Sequence, residues 1–247
     1  MTLRVLLLTF AMALSSLASP VRSMLGRERL EAPRSNLPYD VEVEYLEFPK
    51  YNGNMPSHAF IDTGIVPSLP CDISGHISFA RAVNIQAGVG CGWGNNGTLF
   101  YPLLAYYNPY RLAVGFPNSG LISFEEYSAS GADAVFSTSL DAGGNGYAEV
   151  NGVIRNVSNA FGGRNLTETI LIGGAGHIQA DGLPTYKITW GSRIYWVNIQ
   201  CGDKELDLVP VRFTNEEGIS EGALYDYISG KLFRNAGLGS FIIGPDL

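Results

Sequence analysis

Between Asp133 and Asp141 every second side chain, Ala134, Phe136, Thr138 and Leu140, falls on one face of an extended chain. A two-residue period belongs to a half-buried strand and to no helix. The same alternation returns along the chain. Val41, Val43 and Tyr45 alternate with Glu42 and Glu44, which reads as one strand over Val41 to Phe48. Ile73, Ile77 and Phe79 alternate with Ser74, His76 and Ser78. Arg193 to Ile199 and Leu206 to Phe213 are apolar and β-rich, and Phe241 to Ile243 reads as a short last strand. Turn signals separate these runs. Asn151-Gly152, between Tyr147–Val150 and Val153–Val157, is the strongest, because a two-residue hairpin turn needs positive φ at both positions. Asn52-Gly53, Asn96-Gly97 and Ser229-Gly230 are further turn positions. About a dozen short strands without helices between them predict an all-β antiparallel sandwich or barrel.

Composition agrees with this. Among 247 residues, 30 glycines, 13 tyrosines and 12 phenylalanines supply turns and aromatic core for a β fold. The formal charge is −7, with no cluster of basic residues. That excludes the basic face of a nucleic-acid-binding domain and argues against docking on anionic lipid.

Residues 1–23 read as a signal peptide. Arg4 supplies a positive start, Val5 to Leu14 is a short apolar run, and small residues follow, with cleavage after Ala18 or after Ser23. The run is short for a bilayer span, and no second long apolar stretch follows, so no membrane span is expected after cleavage. The expected location is secreted, periplasmic or cell-surface. Loss of Arg4 and Arg22 with the peptide takes the charge to −9. Residues 24–38, with Pro33, Pro38 and no sustained period, read as a linker before a domain over 39–247. Cys71, Cys91 and Cys201 allow one disulfide with a free thiol, in three pairings, or three buried thiols; their spacing fits no zinc pattern.

Two stretches carry a family resemblance. Val43-Glu44-Tyr45-Leu46-Glu47, followed by Ala59-Phe60-Ile61-Asp62-Thr63-Gly64-Ile65, resembles the opening of laminin G-like, concanavalin A-type jelly-roll domains of bacterial secreted and surface proteins. The closing signature of such domains resembles the run from Leu208-Val209-Pro210-Val211-Arg212 through Leu224-Tyr225-Asp226, Ser229-Gly230-Lys231-Leu232-Phe233 and Asn235-Ala236-Gly237 to Gly244-Pro245-Asp246. The match brackets residues 41–246 and is loose between about Ala82 and Leu140. It implies an antiparallel two-sheet jelly-roll sandwich. The matched residues read as structural, and fold alone does not give function.

Some relatives on this fold are glucanases, whose catalytic strand carries Glu-x-Asp-x-x-Glu. The chain lacks that pattern; Glu205-Leu206-Asp207 comes closest, and Glu42-x-Glu44 reads as a solvated strand face. His58, His76 and His177 show no metal-ligand spacing. Gly88, Gly90, Gly92 and Gly94 read as a loop or a tightly packed strand. No resident cofactor is expected. Calcium is the one candidate ion, with Asp141, Asn145 and Asn151 as oxygen donors that match no EF-hand loop. Sugar binding needs exposed aromatic faces with nearby amides, and Trp93, Tyr106, Tyr107 and Tyr110 are the ligand-binding candidates. Trp190 and Trp196 are expected to pack inside or between the sheets. Sequons at Asn96, Asn156 and Asn165 read as chance in a bacterial chain.

The expectation is a non-catalytic carbohydrate-binding or surface-recognition module whose partner is a polysaccharide or glycoconjugate. A structural or adhesion domain with a surface-protein partner, and a glycoside hydrolase with a non-standard carboxylate site, are the alternatives.

Overall fold

The computed structural model describes residues 37–49, 58–80, 86–91, 100–107, 110–125, 133–178, 184–186 and 191–247. The expected signal peptide at 1–23, most of the expected linker at 24–38, and the expected turns at Asn52-Gly53 and Asn96-Gly97 lie outside the described residues. The compact unit runs from Pro38 to Leu247.

Among the described residues there are nineteen strands and no helix. In chain order they begin with β1 (Val41–Glu42), β2 (Leu46–Glu47), β3 (Ile61–Asp62), β4 (Cys71–Ser78), β5 (Gln86–Cys91) and β6 (Phe100–Tyr107). There follow β7 (Tyr110–Phe116), β8 (Gly120–Phe124), β9 (Asp133–Leu140), β10 (Gly146–Val150), β11 (Val153–Val157) and β12 (Ile170–Ile172). The last are β13 (Ala175–Ile178), β14 (Pro184–Tyr186), β15 (Arg193–Cys201), β16 (Lys204–Thr214), β17 (Ser220–Asp226), β18 (Leu232–Phe233) and β19 (Ile242–Ile243). Several are two-residue pieces too short to show a period, which is why the sequence predicts about a dozen.

The front sheet runs β11-β10-β9-β4-β15-β16-β17-β18, with β1 on β16 and β2 between β15 and β19. The back sheet runs β3-β12-β5-β6-β7-β8, and β13 and β14 form a separate ribbon. The pairings within both sheets are antiparallel. The described residues therefore form an all-β, antiparallel two-sheet jelly-roll sandwich, one of the two architectures the alternation predicts and the fold the resemblance implies.

Alternation decides which residues fill the space between the sheets. Ile73 and Ile77 of β4, Phe136 and Leu140 of β9, and Val197 and Ile199 of β15 meet Val89, Leu103, Val114 and Ile170 of the back sheet in one core. Each such side chain, fully buried, contributes about 1.5–3 kcal/mol. The Asn151-Gly152 turn forms as predicted, with φ of 49° and 84° at its two residues. Gly90 answers to space instead: a Cβ there would lie 2.6 Å from the Ala175 Cβ and 2.8 Å from the Tyr101 ring. The Gly88–Cys91 stretch is thus a tightly packed strand, while Gly92 and Gly94 lie outside the described residues.

Cys71 and Cys201 are register partners on β4 and β15, 4.1 Å apart at Cα, and form the disulfide. Cys91 is a buried thiol outside the disulfide and donates to the Glu168 carbonyl at 3.1 Å.

Two expectations change. The single strand expected over Val41 to Phe48 is broken, because its first half pairs with β16 and its second with β15 and β19. Trp196 does not pack between the sheets. A register shift between Ile194 and Trp196 inserts Tyr195. Strict alternation from buried Ile194 would turn Trp196 inward; the extra residue re-phases the strand, so Val197 and Ile199 face the core and Trp196 is half-buried opposite His76. Trp190 lies outside the described residues.

The opening and closing motifs of the chain lie against each other. Val43 bridges Asp246, Glu44 N–H donates to the Pro245 carbonyl, and Leu247 N–H donates to the Glu42 carbonyl. Asn235 pins the two motifs. Its Oδ1 accepts from Phe60 N–H at 3.1 Å and from Gly237 N–H at 2.9 Å, and its amide donates to the Gly237 and Gly239 carbonyls. Asp226, wholly buried, accepts from the amides of Asp207, Ile228 and Ser229 and from the Ser229 hydroxyl, so it closes the turn before β18. Asn235 and Asp226 of the closing motif thus hold backbone segments together.

Candidate functional site

Three connections converge at one end of the sandwich: the β3–β4 segment, the β9–β10 turn and the long β11–β12 loop. The last runs from Ser158 to Thr169, long enough to need tying down. It is tied on two sides. Asn159 N–H donates to Asn145 Oδ1 at 3.0 Å and Ala160 N–H to the Gly144 carbonyl at 2.8 Å, joining it to the β9–β10 turn. Asn118 donates from its amide to the Asn159 carbonyl at 3.1 Å, and the Ser119 hydroxyl donates to the Ser158 carbonyl at 3.0 Å, joining it to the β7–β8 turn. Phe161 anchors the loop from below, edge-on to Phe100 with centroids 5.3 Å apart.

Between these loops lies a cleft of about 590 Å³, lined by residues 66–69, 142–143 and 161–166 with Asn159. Its walls mix apolar surface from Val66, Leu69 and Leu166 with the polar side chains of Ser68, Asn159, Asn165 and Arg164. Val66 stands 41% exposed at its mouth. Arg164 is the only charged side chain in the lining. It donates from Nη1 to the Pro117 carbonyl at 3.1 Å.

Asp141 borders this region in the β9–β10 turn. Its Oδ1 accepts from Gly143 N–H at 2.8 Å and Asn145 N–H at 2.9 Å. Those donors, the Asn145 amide first, hold its carboxyl below the ordinary range, so it stays an anion and is unsuited to deliver a proton.

The structure scatters the residues singled out from sequence. Tyr106, Tyr107 and Tyr110 gather at the β6–β7 hairpin, where Tyr107 pairs with Tyr110 and Tyr106 with Arg111. Trp93 lies outside the described residues. Asp141 and Asn145 share one turn, but Asn151 caps the far end of β10. There its Oδ1 accepts from Val135 N–H and its amide donates to the Asp133 carbonyl. The three proposed calcium donors therefore do not converge, and no cluster of three His, Cys, Asp or Glu side chains suited to a metal occurs among the described residues.

The carboxylates behave likewise. Glu42 accepts hydrogen bonds from the Tyr39 and Tyr227 hydroxyls, and burial raises the pKa of both tyrosines, so they remain donors. Glu205 and Asp207 stand on the outer face of β16, opposite Gln200 and Asn198, and the same register carries the row on to Asp72 and Ser74 of β4. Further along that face His76 stacks on Tyr195 at 4.1 Å and meets Asp133 at 2.6 Å.

The cleft itself escapes sequence reasoning because it is assembled from three loops distant in the chain. The one local signal is the run Ser158-Asn159-Ala160-Phe161-Gly162-Gly163-Arg164-Asn165, rich in residues that accept positive φ: Asn159, Gly162 and Gly163 have φ of 47°, 57° and 73°.

No family model and no curated protein matches the chain. Among solved structures it is similar to the native heptameric SAP-like pentraxin from Limulus polyphemus, at 15% identity and a TM-score of 0.46, over 65% of this chain and 76% of that one. At that identity and score the likeness says nothing about what this chain binds.

Proposed function

We propose that residues 38–247 form an exported, non-catalytic carbohydrate-binding module of the laminin G-like kind, and that the sugar sits in the rim cleft. The observation that carries this reading is the cleft's make-up. Its volume of about 590 Å³ lies within the roughly 300–1,000 Å³ of small-molecule sites. Its apolar wall suits the C–H face of a pyranose, and Asn159, Asn165 and Ser68 supply donors and acceptors for hydroxyls. Export is supported by the signal-like residues 1–23 and by the buried Cys71–Cys201 disulfide, a bond that persists in oxidising compartments.

The test is titration of the mature domain against neutral, acidic and amino-sugar oligosaccharides, with calcium and with chelator. Val66→Trp, at an exposed position, fills the cleft mouth, and Tyr107→Ala alters the distant hairpin. Binding abolished by Val66→Trp and kept by Tyr107→Ala supports the rim site. The converse moves the site to the hairpin. No binding by the folded domain sinks the reading.

A second reading, a glycoside hydrolase on the front sheet, is favoured by the outward row Asp72, Gln200, Glu205. Two strand spacings put those carboxylates about 10 Å apart at the backbone, near the separation of an inverting pair. Release of reducing ends from a polysaccharide, lost in Glu205→Gln, decides for it.

A further inference from the structure

We infer that the rim cleft selects sugars bearing an anionic group, a carboxylate or a sulfate, through Arg164. This rests on the reading of the cleft as the sugar site and specifies its ligand class. Of the other described arginines, Arg155 and Arg234 lie over the rings of Phe124 and Phe213, and three find carboxylates. Arg193 is bonded to Glu47 at 2.9 Å, Arg212 to Asp246 at 2.9 Å, and Arg111 lies 3.6 Å from Glu125. Arg164 forms no ion pair among the described residues; its bond is to the neutral Pro117 carbonyl. That bond uses one of the five donors of the guanidinium fork, and the side chain is exposed in the cleft lining.

The surroundings favour an anion. No acidic side chain lines the cleft. The nearest in sequence, Asp141, has its carboxylate turned back onto the amides of its own turn. A planar carboxylate matches the Arg fork with two parallel hydrogen bonds, and a sulfate offers oxygens at similar spacing. The pairing also needs neighbours that hold the sugar ring, which Asn159, Asn165 and the apolar wall supply. The single tether to Pro117 fixes the long side chain before ligand arrives, which lowers the ordering cost of binding.

The experiment compares matched probes on the mature domain by calorimetric titration at fixed ionic strength. One pair is oligogalacturonate and its fully methyl-esterified form of equal length, which differ in the carboxylate charge. The other is sulfated dextran oligomers and unsulfated dextran. The expected result is a preference of about tenfold or more for the anionic member of at least one pair, the usual worth of a charge-assisted bond. The responding pair identifies the group. Arg164→Gln, with an unchanged melting temperature, should bring that preference to about one. Equal binding within both pairs, or a preference that survives Arg164→Gln, overturns the inference. Equal binding that Val66→Trp abolishes overturns it while leaving the cleft as a neutral-sugar site. Binding that Val66→Trp leaves untouched overturns both this inference and the rim-site reading.

Discussion

Replacing Cys71 and Cys201 together by alanine removes a cross-link between residues 130 apart in sequence. The native geometry of the pair needs little from the bond, because the two residues are already held opposite each other by the ladder between β4 and β15. Its effect falls on the unfolded chain. In the chain-entropy account, closing a loop of about 130 residues removes roughly 17 cal/mol/K, or about 5 kcal/mol at 25 °C. A second term enters because both sulfurs are buried, Cys71 at 1% and Cys201 at 0% exposure, so alanine leaves a small void. Reduced wild type separates the two: it lacks the bond and keeps the sulfurs. Urea unfolding followed by tryptophan fluorescence should show both proteins unfolding roughly 2 M earlier than oxidised wild type, at m near 3 kcal/mol/M. The m-value should rise, since an uncross-linked chain exposes more surface. The alanine pair should lie slightly below reduced wild type. A loss under about 1 kcal/mol with an unchanged m-value would refute the entropic reasoning.

Other outcomes follow from single groups. Thr138 Oγ1 is wholly buried on the core face of β9 with no hydrogen-bond partner, so Thr138→Val should stabilise the fold by about 1–2 kcal/mol, visible as a higher melting temperature. An unchanged or lower value would mean that the hydroxyl is satisfied. Asp226→Ala strips the acceptor from three amides and one hydroxyl and should cost about 3 kcal/mol or more in chemical denaturation; a cost under 1 kcal/mol would show the turn closing without it. His58 is wholly buried, and burial lowers its pKa below 6.5. The unfolded chain therefore binds a proton at this residue before the folded one does. The His58 contribution is complete above about pH 6.5 and is lost as pH falls from there toward its lower folded value. Denaturation at pH 7.5 and pH 5.5 should show that drop, with a shallower slope in His58→Gln; equal slopes would reject the assignment.

What could be read in the sequence was what repeats locally. The alternation of Ala134, Phe136, Thr138 and Leu140 survives intact as the core face of β9, and Asn151-Gly152 turns as its φ requirement demands. Departures arise where tertiary pairing interrupts a local period. One inserted residue, Tyr195, reverses the side on which Trp196 sits, and nothing in the composition of that run marks the insertion. The disulfide partner of Cys71 depends on the register of two strands more than a hundred residues apart, so spacing leaves three pairings open. The cleft depends on the hydrogen bonds that clamp residues 158–164 against the turns at 117–119 and 141–145. Turn composition predicts that such a loop exists, not where it docks.

The clasp between residues 41–43 and 245–247 has a mechanical consequence. The two segments are antiparallel neighbours, so the chain leaves the sandwich from Pro38 and from Leu247 on the same side. A load applied between those ends meets the hydrogen bonds of the clasp one after another, as in peeling tape, instead of all together in shear. The clasp would yield first, and the Asn235 pin between Phe60 and Gly237 stands next in line. The same proximity means that a short peptide could join the two ends, and the exposed Asn151-Gly152 tip could then be cut open with the strand pairings of both sheets kept.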